Sequence, residues 1–146
     1  MDMRVTYLET GSRDPFYNLA FEEYVLAHRI EGDYLILWQN DNTVVIGRNQ
    51  NAEEEIAHAF VKSHGVRVVR RTTGGGAVYH DLGNLNYSFI TDAREAENLS
   101  MERFIQPVVN ALRGLGLQAE ASGRNDILVG GKKVSGPSER SFWGSG

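Results

Sequence analysis

The sequence predicts a mixed α+β fold, a largely antiparallel or mixed β-sheet flanked by helices. Short runs rich in β-branched and aromatic residues recur between turn signals, at residues 34–38, 43–47, 66–70 and 85–90. Two longer stretches, from Asp14-Pro15 and after Ser100, carry helical apolar spacing. The length of 146 residues with 41% hydrophobic content suits one domain, residues 1–146, with a real core.

The first element is a strand over residues 3–9, ended by the turn Thr10-Gly11-Ser12-Arg13. Asp14 then suits an N-cap and Pro15 the first helical position. In that helix Ala20, Tyr24 and Ala27 share a face with Tyr17 and Phe21, and Glu22 and Glu23 read as solvated or capping carboxylates rather than catalytic acids. Gly32-Asp33 ends the helix. The strands 34–38 and 43–47, joined by Asn40-Asp41-Asn42, read as a hairpin. Gly47-Arg48-Asn49-Gln50-Asn51 reads both as a binding loop and as a polar turn in which Asn51 caps the next helix. That helix takes Glu53-Glu54-Glu55 into its first turn, where the dipole favours carboxylates, and runs to about Ser63 before the stop His64-Gly65. His58 and His64 read as surface residues of it.

The strand 66–70 delivers Arg70-Arg71-Thr72-Thr73-Gly74-Gly75-Gly76-Ala77-Val78-Tyr79-His80-Asp81. Glycines here free the backbone and remove the Cβ atoms that would keep a ligand away, and bare N–H groups in such a turn form an anion-binding nest. Arg70 and Arg71 can add charge-assisted hydrogen bonds to a carboxylate or phosphate. The alternative is a flexible hairpin loop whose strand happens to end in arginines. Residues 77–79 resume as a strand and residues 85–90 alternate apolar and polar. His80 reads as a group that holds the turn, with a general-base role as the alternative.

After the charged loop 91–98, the helix beyond Ser100 carries Phe104, Ile105, Val108, Val109, Leu112 and Leu115 as its apolar stripe. Pro107 starts or kinks its main segment, and Gly114 and Gly116 end it. A short strand at 118–121 leads to a strand, a Gly130-Gly131 turn and a strand. The chain holds three lysines, and two of them, Lys132 and Lys133, follow that turn. A compact ammonium suits a phosphate oxygen or developing oxyanion, although an exposed turn explains lysines equally. Asp126 can hold Mg²⁺ or pair with a lysine.

Composition narrows the chemistry. A net charge of -4 gives no global field that favours nucleic acid. The absence of cysteine removes disulfides, thiolate metal sites and any thioester-forming nucleophile. Residues 1–6 lack an apolar signal core and no run approaches a membrane span, so the expectation is a cytoplasmic protein without membrane or nucleic-acid partners.

Taken together, Asn18-Leu19-Ala20-Phe21-Glu22-Glu23, residues 43–51, residues 70–84, Ser122-Gly123-Arg124-Asn125-Asp126 and Lys133-Val134-Ser135-Gly136 resemble the lipoate-protein ligase A family of the biotin/lipoyl ligase superfamily. The resemblance covers the chain to about Gly136. It implies a biotin/lipoyl protein ligase-like fold and a two-step reaction, in which lipoate and MgATP give lipoyl-AMP and the acyl group then passes to a lysine of a lipoyl domain. The implied acceptors are the apo lipoyl domains of 2-oxoacid dehydrogenase acyltransferase subunits and the glycine cleavage H protein.

By the same resemblance Arg71, Gly76, Ala77, Val78, Tyr79 and Lys133 would contact ATP. Trp38, Val45, Arg70, Gly74, Gly75, Gly76, His80, Asn84, Asn125 and Lys133 would contact lipoate or its adenylate. Lys133 would be catalytic, touching the lipoate carboxyl and the α-phosphate, and Asp126 would lie by a metal. Trp38, Val45 and Tyr79 are candidate walls for the apolar tail. The lack of cysteine separates the chain from octanoyl transferases that pass the acyl group through an enzyme thioester. Beyond Gly136 the chain departs from the family and ends at Gly146, so the reading is a catalytic domain lacking its C-terminal part.

Overall fold

A computed structural model describes residues 4–28, 32–92 and 101–139. It has mixed α+β architecture, with nine strands in three three-stranded sheets and four helices among the described residues. The chain divides into two units, Met1–Thr91 with Glu139–Gly146, and Asp92–Ser138.

In the first unit, β1 (Val5–Glu9) pairs in parallel with β2 (Asp33–Trp38), which pairs antiparallel with β6 (Asn86–Ile90). Helix α1 (Pro15–His28) covers this sheet. Its start is as expected: the Asp14 carboxylate accepts from the Phe16 N–H at 2.9 Å, and Pro15 is buried. The buried face differs from expectation. Leu19, Phe21, Val25 and Leu26 pack on Ile36, Trp38 and Ile90, whereas Tyr17 and Tyr24 are exposed. The inward face also carries Asn18 and Glu22, whose Nδ2 and carboxylate find partners inside, although Asn18 Oδ1 has none; that is why apolar periodicity mislocated it.

The expected hairpin of β2 with β3 (Thr43–Ile46) does not form. Strand β3 lies at the centre of a second sheet, parallel to β4 (Arg67–Arg70) and antiparallel to β5 (Val78–His80). The link from β2 to β3 is a corner between sheets, with Asn40 fully buried and Asn42 at φ 41°. Asn51 caps α2 (Ala52–Glu55) through its side chain. The expected single helix to Ser63 is interrupted: Ile56 is extended at φ -122°, ψ 142°, and α3 spans His58–Ser63. Gly65 at φ 61° closes α3.

In the second unit, α4 (Glu102–Gly114) buries Ile105 and Val109 against Ala119 and Ile127. Pro107 is accommodated inside the helix. The apolar stripe stops short of its expected end, because Leu115 lies beyond the helix and is exposed. Gly116, at φ 90°, donates to the Arg113 carbonyl while Leu117 donates to that of Leu112, a Schellman closure. Strands β7 (Ala119–Ala121), β8 (Ile127–Val129) and β9 (Lys132–Ser135) form an antiparallel sheet, with β8 and β9 joined by Gly130 and Gly131 at φ 58° and 77°. No helix among the described residues is long and apolar enough to cross a membrane.

Candidate functional site

The glycine loop leaves the end of β4, where Arg71 donates its backbone N–H to the Ile46 carbonyl at 3.0 Å. The Arg71 guanidinium then turns back into its own loop. Its Nη2 donates to the carbonyls of Gly74 at 3.1 Å and Gly76 at 2.6 Å. Carbonyls of alternate loop residues therefore point at one cation. The N–H groups of Gly74, Gly75 and Gly76 donate no hydrogen bond among the described residues. Bare donors gathered in a turn, with a guanidinium beneath them, make an environment suited to anions. Burial pulls the Arg71 pKa downward, yet a guanidinium stays charged at neutral pH.

Arg70 serves a neighbouring loop. One of its nitrogens donates to the carbonyls of Gly47 at 2.9 Å and Gln50 at 2.6 Å, with Arg48 at 3.3 Å. Gly47 donates to the Gln50 side chain, and Arg48 donates to the Thr73 carbonyl, so the 47–51 loop is stitched to the glycine loop. Thr72 donates to the Glu23 carboxylate on α1, a further tether. Glu23 is thus not a freely solvated group, and neither is Glu22. Trp38 Nε1 donates to Ser88 Oγ at 3.0 Å, and the Ser88 hydroxyl donates to Glu22.

His80 ends β5 with 8% of its surface exposed. Its Nδ1 lies 3.1 Å from Asn40 Nδ2, and its ring meets Trp38 edge-on at 6.5 Å. Its expected role of holding the turn becomes a bond to a buried side chain rather than to backbone. Trp38 and Val45 are buried, whereas Tyr79 is exposed and donates to Asn42 at 2.9 Å. Val45 is paired with Val78, and Tyr79 with Val44, so period-2 alternation puts Tyr79 on the opposite sheet face from Val45. Those two do not form one wall. Ala77 and Val78 are exposed, and Asn84 sits in the following turn, donating to Asp81 and Asn86.

The remaining expected residues lie in the second unit. Asn125 is exposed at φ 65°, and Ser122 Oγ accepts from the Asp126 N–H at 3.2 Å. Lys133 Nζ pairs with Asp126 Oδ1 at 3.4 Å. Of the two roles expected for Asp126, the lysine partner is the one formed here. No cluster of three or more ligating side chains is present among the described residues. A single carboxylate fits Mg²⁺ that arrives on phosphates, since that ion commonly takes one or two protein carboxylates and keeps water.

Gly136, absent from the expected set of contacts, seats the lysine. A Cβ there would lie 2.8 Å from Lys133 Cε, 2.9 Å from Nζ and 3.3 Å from Asp126 Oδ1. Gly136→Ala is therefore expected to displace the ammonium from Asp126. Because an exposed pair contributes about 0–1 kcal/mol, stability should change by no more than that. Urea denaturation and the loss of the Lys133–Gly136 nuclear Overhauser contact check both statements. An unmoved lysine would sink the seat.

Two titrating groups, the buried His80 and the half-buried Glu22, give opposite pH dependence. His80 is held below its ordinary 6.5, by burial first and by the Arg71 charge second. The unfolded chain binds this proton before the folded one does, so the His80 contribution falls as pH drops below 6.5 toward the lowered folded value. Glu22 is held above its ordinary 4.5, by burial first, against the Ser88 hydrogen bond and with the Glu23 charge adding. Its destabilisation is fully present above the raised folded pKa and fades as pH falls toward 4.5. Denaturation midpoints between pH 8 and 5 should accordingly show a weaker acid-side decline in His80→Gln and a steeper one in Glu22→Gln. Identical profiles for parent and variants would contradict both assignments.

Comparison with known proteins shows the family. Residues 14–144 match the lipoyl protein ligase A/B catalytic domain. Lipoate-protein ligase LplJ of Bacillus subtilis is 52% identical over 124 residues, covering 84% of this chain and 38% of that protein. Lipoate–protein ligase 1 of Staphylococcus aureus is 48% identical with the same coverage. The chain thus spans under two fifths of the length of these curated relatives. LipL1 of P. falciparum in complex with lipoate superposes with a TM-score of 0.86 at 30% identity, over 97% of this chain and 45% of that one. Lipoate-protein ligase A bound with ATP gives 0.80 at 34% identity, over 97% and 62%. With nearly its whole length matched, glycine loop and lysine hairpin included, this chain belongs to the family of lipoyl protein ligase A/B catalytic domains.

Proposed function

We propose that the chain carries the activation chemistry of a lipoate-protein ligase. The lipoate carboxylate oxygen attacks the α-phosphorus of MgATP, the α–β bridging bond breaks, and lipoyl-AMP and pyrophosphate result. A lysine amine of an apo lipoyl domain then attacks the acyl carbon, AMP leaves, and the amine gives up its proton as the amide forms. The observation that carries this reading is the glycine loop, with its carbonyls drawn to Arg71 and its N–H groups bare. Solved relatives with bound ATP and with bound lipoate support both substrates.

On this reading Arg71 and residues 76–79 contact ATP, and Arg70, Gly74, Gly75, Gly76, His80 and Asn84 contact the adenylate. Trp38 and Val45 line the apolar tail, and Asn125 and Asp126 lie by the phosphates and their Mg²⁺. Lys133 neutralises charge as two anions meet. The acceptors are lipoyl domains of acyltransferase subunits and of the glycine cleavage H protein. A related structure from Thermoplasma acidophilum is described as a bi-partite lipoate protein ligase and its E2 lipoyl domain, which supports that partner class.

Mass spectrometry of the chain incubated with lipoate and MgATP tests the proposal. Lipoyl-AMP with stoichiometric pyrophosphate is expected. A folded chain that binds lipoate and ATP but forms no adenylate would instead support the second reading, a partner-dependent binding fragment.

A further inference from the structure

Three buried residues from separate parts of the first unit form a hydrogen-bonded relay that ends on His80. Asn18 is 1% exposed, Asn40 0% and His80 8%. Asn18 Nδ2 lies 3.0 Å from the Ser12 carbonyl and 2.8 Å from the Gln39 carbonyl. Two carbonyl oxygens can only accept, so the Asn18 atom between them is the amide nitrogen. The same nitrogen meets Asn40 Oδ1 at 3.0 Å; its two hydrogens are shared among these three acceptors, and an acceptor oxygen rather than a second NH₂ suits Asn40 at that contact. Asn40 therefore turns its NH₂ group to His80 Nδ1 at 3.1 Å. A donor facing Nδ1 requires a bare nitrogen there, and a neutral imidazole then carries its proton on Nε2.

We infer that Asn18 and Asn40 are positioning residues that hold His80 as one neutral tautomer, so that Nε2–H is a fixed donor for an acceptor oxygen of the ligand at the glycine loop. The ring makes no other hydrogen bond among the described residues, which leaves this donor unused there. His80 closes the strand that leaves the loop, and the Arg71 charge acts on it. An imidazolium would set a second N–H against the Asn40 NH₂, which agrees with the downward pKa displacement by burial and Arg71. The ligand part of the inference rests on the lipoate reading above; the tautomer part does not.

Long-range proton–nitrogen correlation spectra of the histidine-labelled chain test it. His80 is expected to show a bare Nδ1 and a protonated Nε2, with no tautomer mixture, between pH 8 and 6. Asn40→Asp, which replaces the donor by an acceptor, should move the proton to Nδ1. A mixture, or a protonated Nδ1 in the parent, overturns the relay whether or not the variant folds. Added lipoate should shift both the amides of Gly74, Gly75 and Gly76 and the His80 Nε2–H. Loop amides that respond while Nε2–H does not would overturn the donor role alone. A silent loop would instead overturn the lipoate reading, and the donor role with it, while the tautomer assignment stands on its own spectrum.

Discussion

Gly47→Ala is expected to collapse the glycine loop from outside it. A Cβ at Gly47 would lie 2.0 Å from the Gly75 carbonyl oxygen and 3.0 Å from its carbon. Gly47 does not have positive φ, so alanine is excluded by space alone. The obstacle is backbone, which cannot swing aside as a side chain would. The Arg48–Thr73 hydrogen bond at 3.0 Å and the Arg70 contacts to Gly47 and Gln50 resist separation of the loops. Overpacking of this kind destabilises by about 1–3 kcal/mol, and a backbone clash belongs at or above the top of that range. Nucleotide binding should fall further than stability, because the displaced segment is the one with bare N–H groups. Gly74→Ala is the control: it has open space and no positive φ, and should shift the urea midpoint little. Equal midpoints and equal ATP affinities for Gly47→Ala and the parent would refute the close approach.

Lys133→Ala is expected to lower adenylate formation by about 10²–10³-fold, the usual loss when one preorganised charge stabiliser is removed. The fold should barely respond, because the side chain is 61% exposed and its pairing with Asp126 is worth about 0–1 kcal/mol. The contrast separates chemistry from folding. Quenched-flow measurement of lipoyl-AMP, with circular dichroism melting in parallel, supplies both readouts. A comparable fall in melting temperature and rate would reduce Lys133 to a structural residue; an unchanged rate would remove it from the reaction. Lys133→Arg should recover little of the loss. Its planar fork is larger than an ammonium, and the seat is bounded by the Gly136 backbone.

Much of this was legible in the chain itself. Asp14-Pro15 starts α1, Asn51 caps α2, Gly65 and Gly116 close helices, and Gly130-Gly131 turns β8 into β9. Each depends on the conformational limits of one or two residues, which sequence records directly. The loop from Arg70 to Gly76 stood out for the same reason, as did the lysines after the Gly-Gly turn.

What sequence left open was decided by partners distant along the chain. The periodicity of residues 15–28 could not reveal an inward face bearing Asn18 and Glu22, because the Asn18 Nδ2 and the Glu22 carboxylate bond to Gln39, Asn40 and Ser88. Strand β3 looked like the second arm of a hairpin, yet its register belongs to β4 and β5. The requirement for glycine at 47 and 136 comes from the carbonyl of Gly75 and the side chain of Lys133. Local conformation thus determined the turns and the helix starts and stops named above, and it supplied the expectation that residues 70–76 bind an anion. Tertiary structure alone decided which polar groups are buried, which strands pair and which side chain His80 meets, because hydrogen bonds and excluded volume act between neighbours in space.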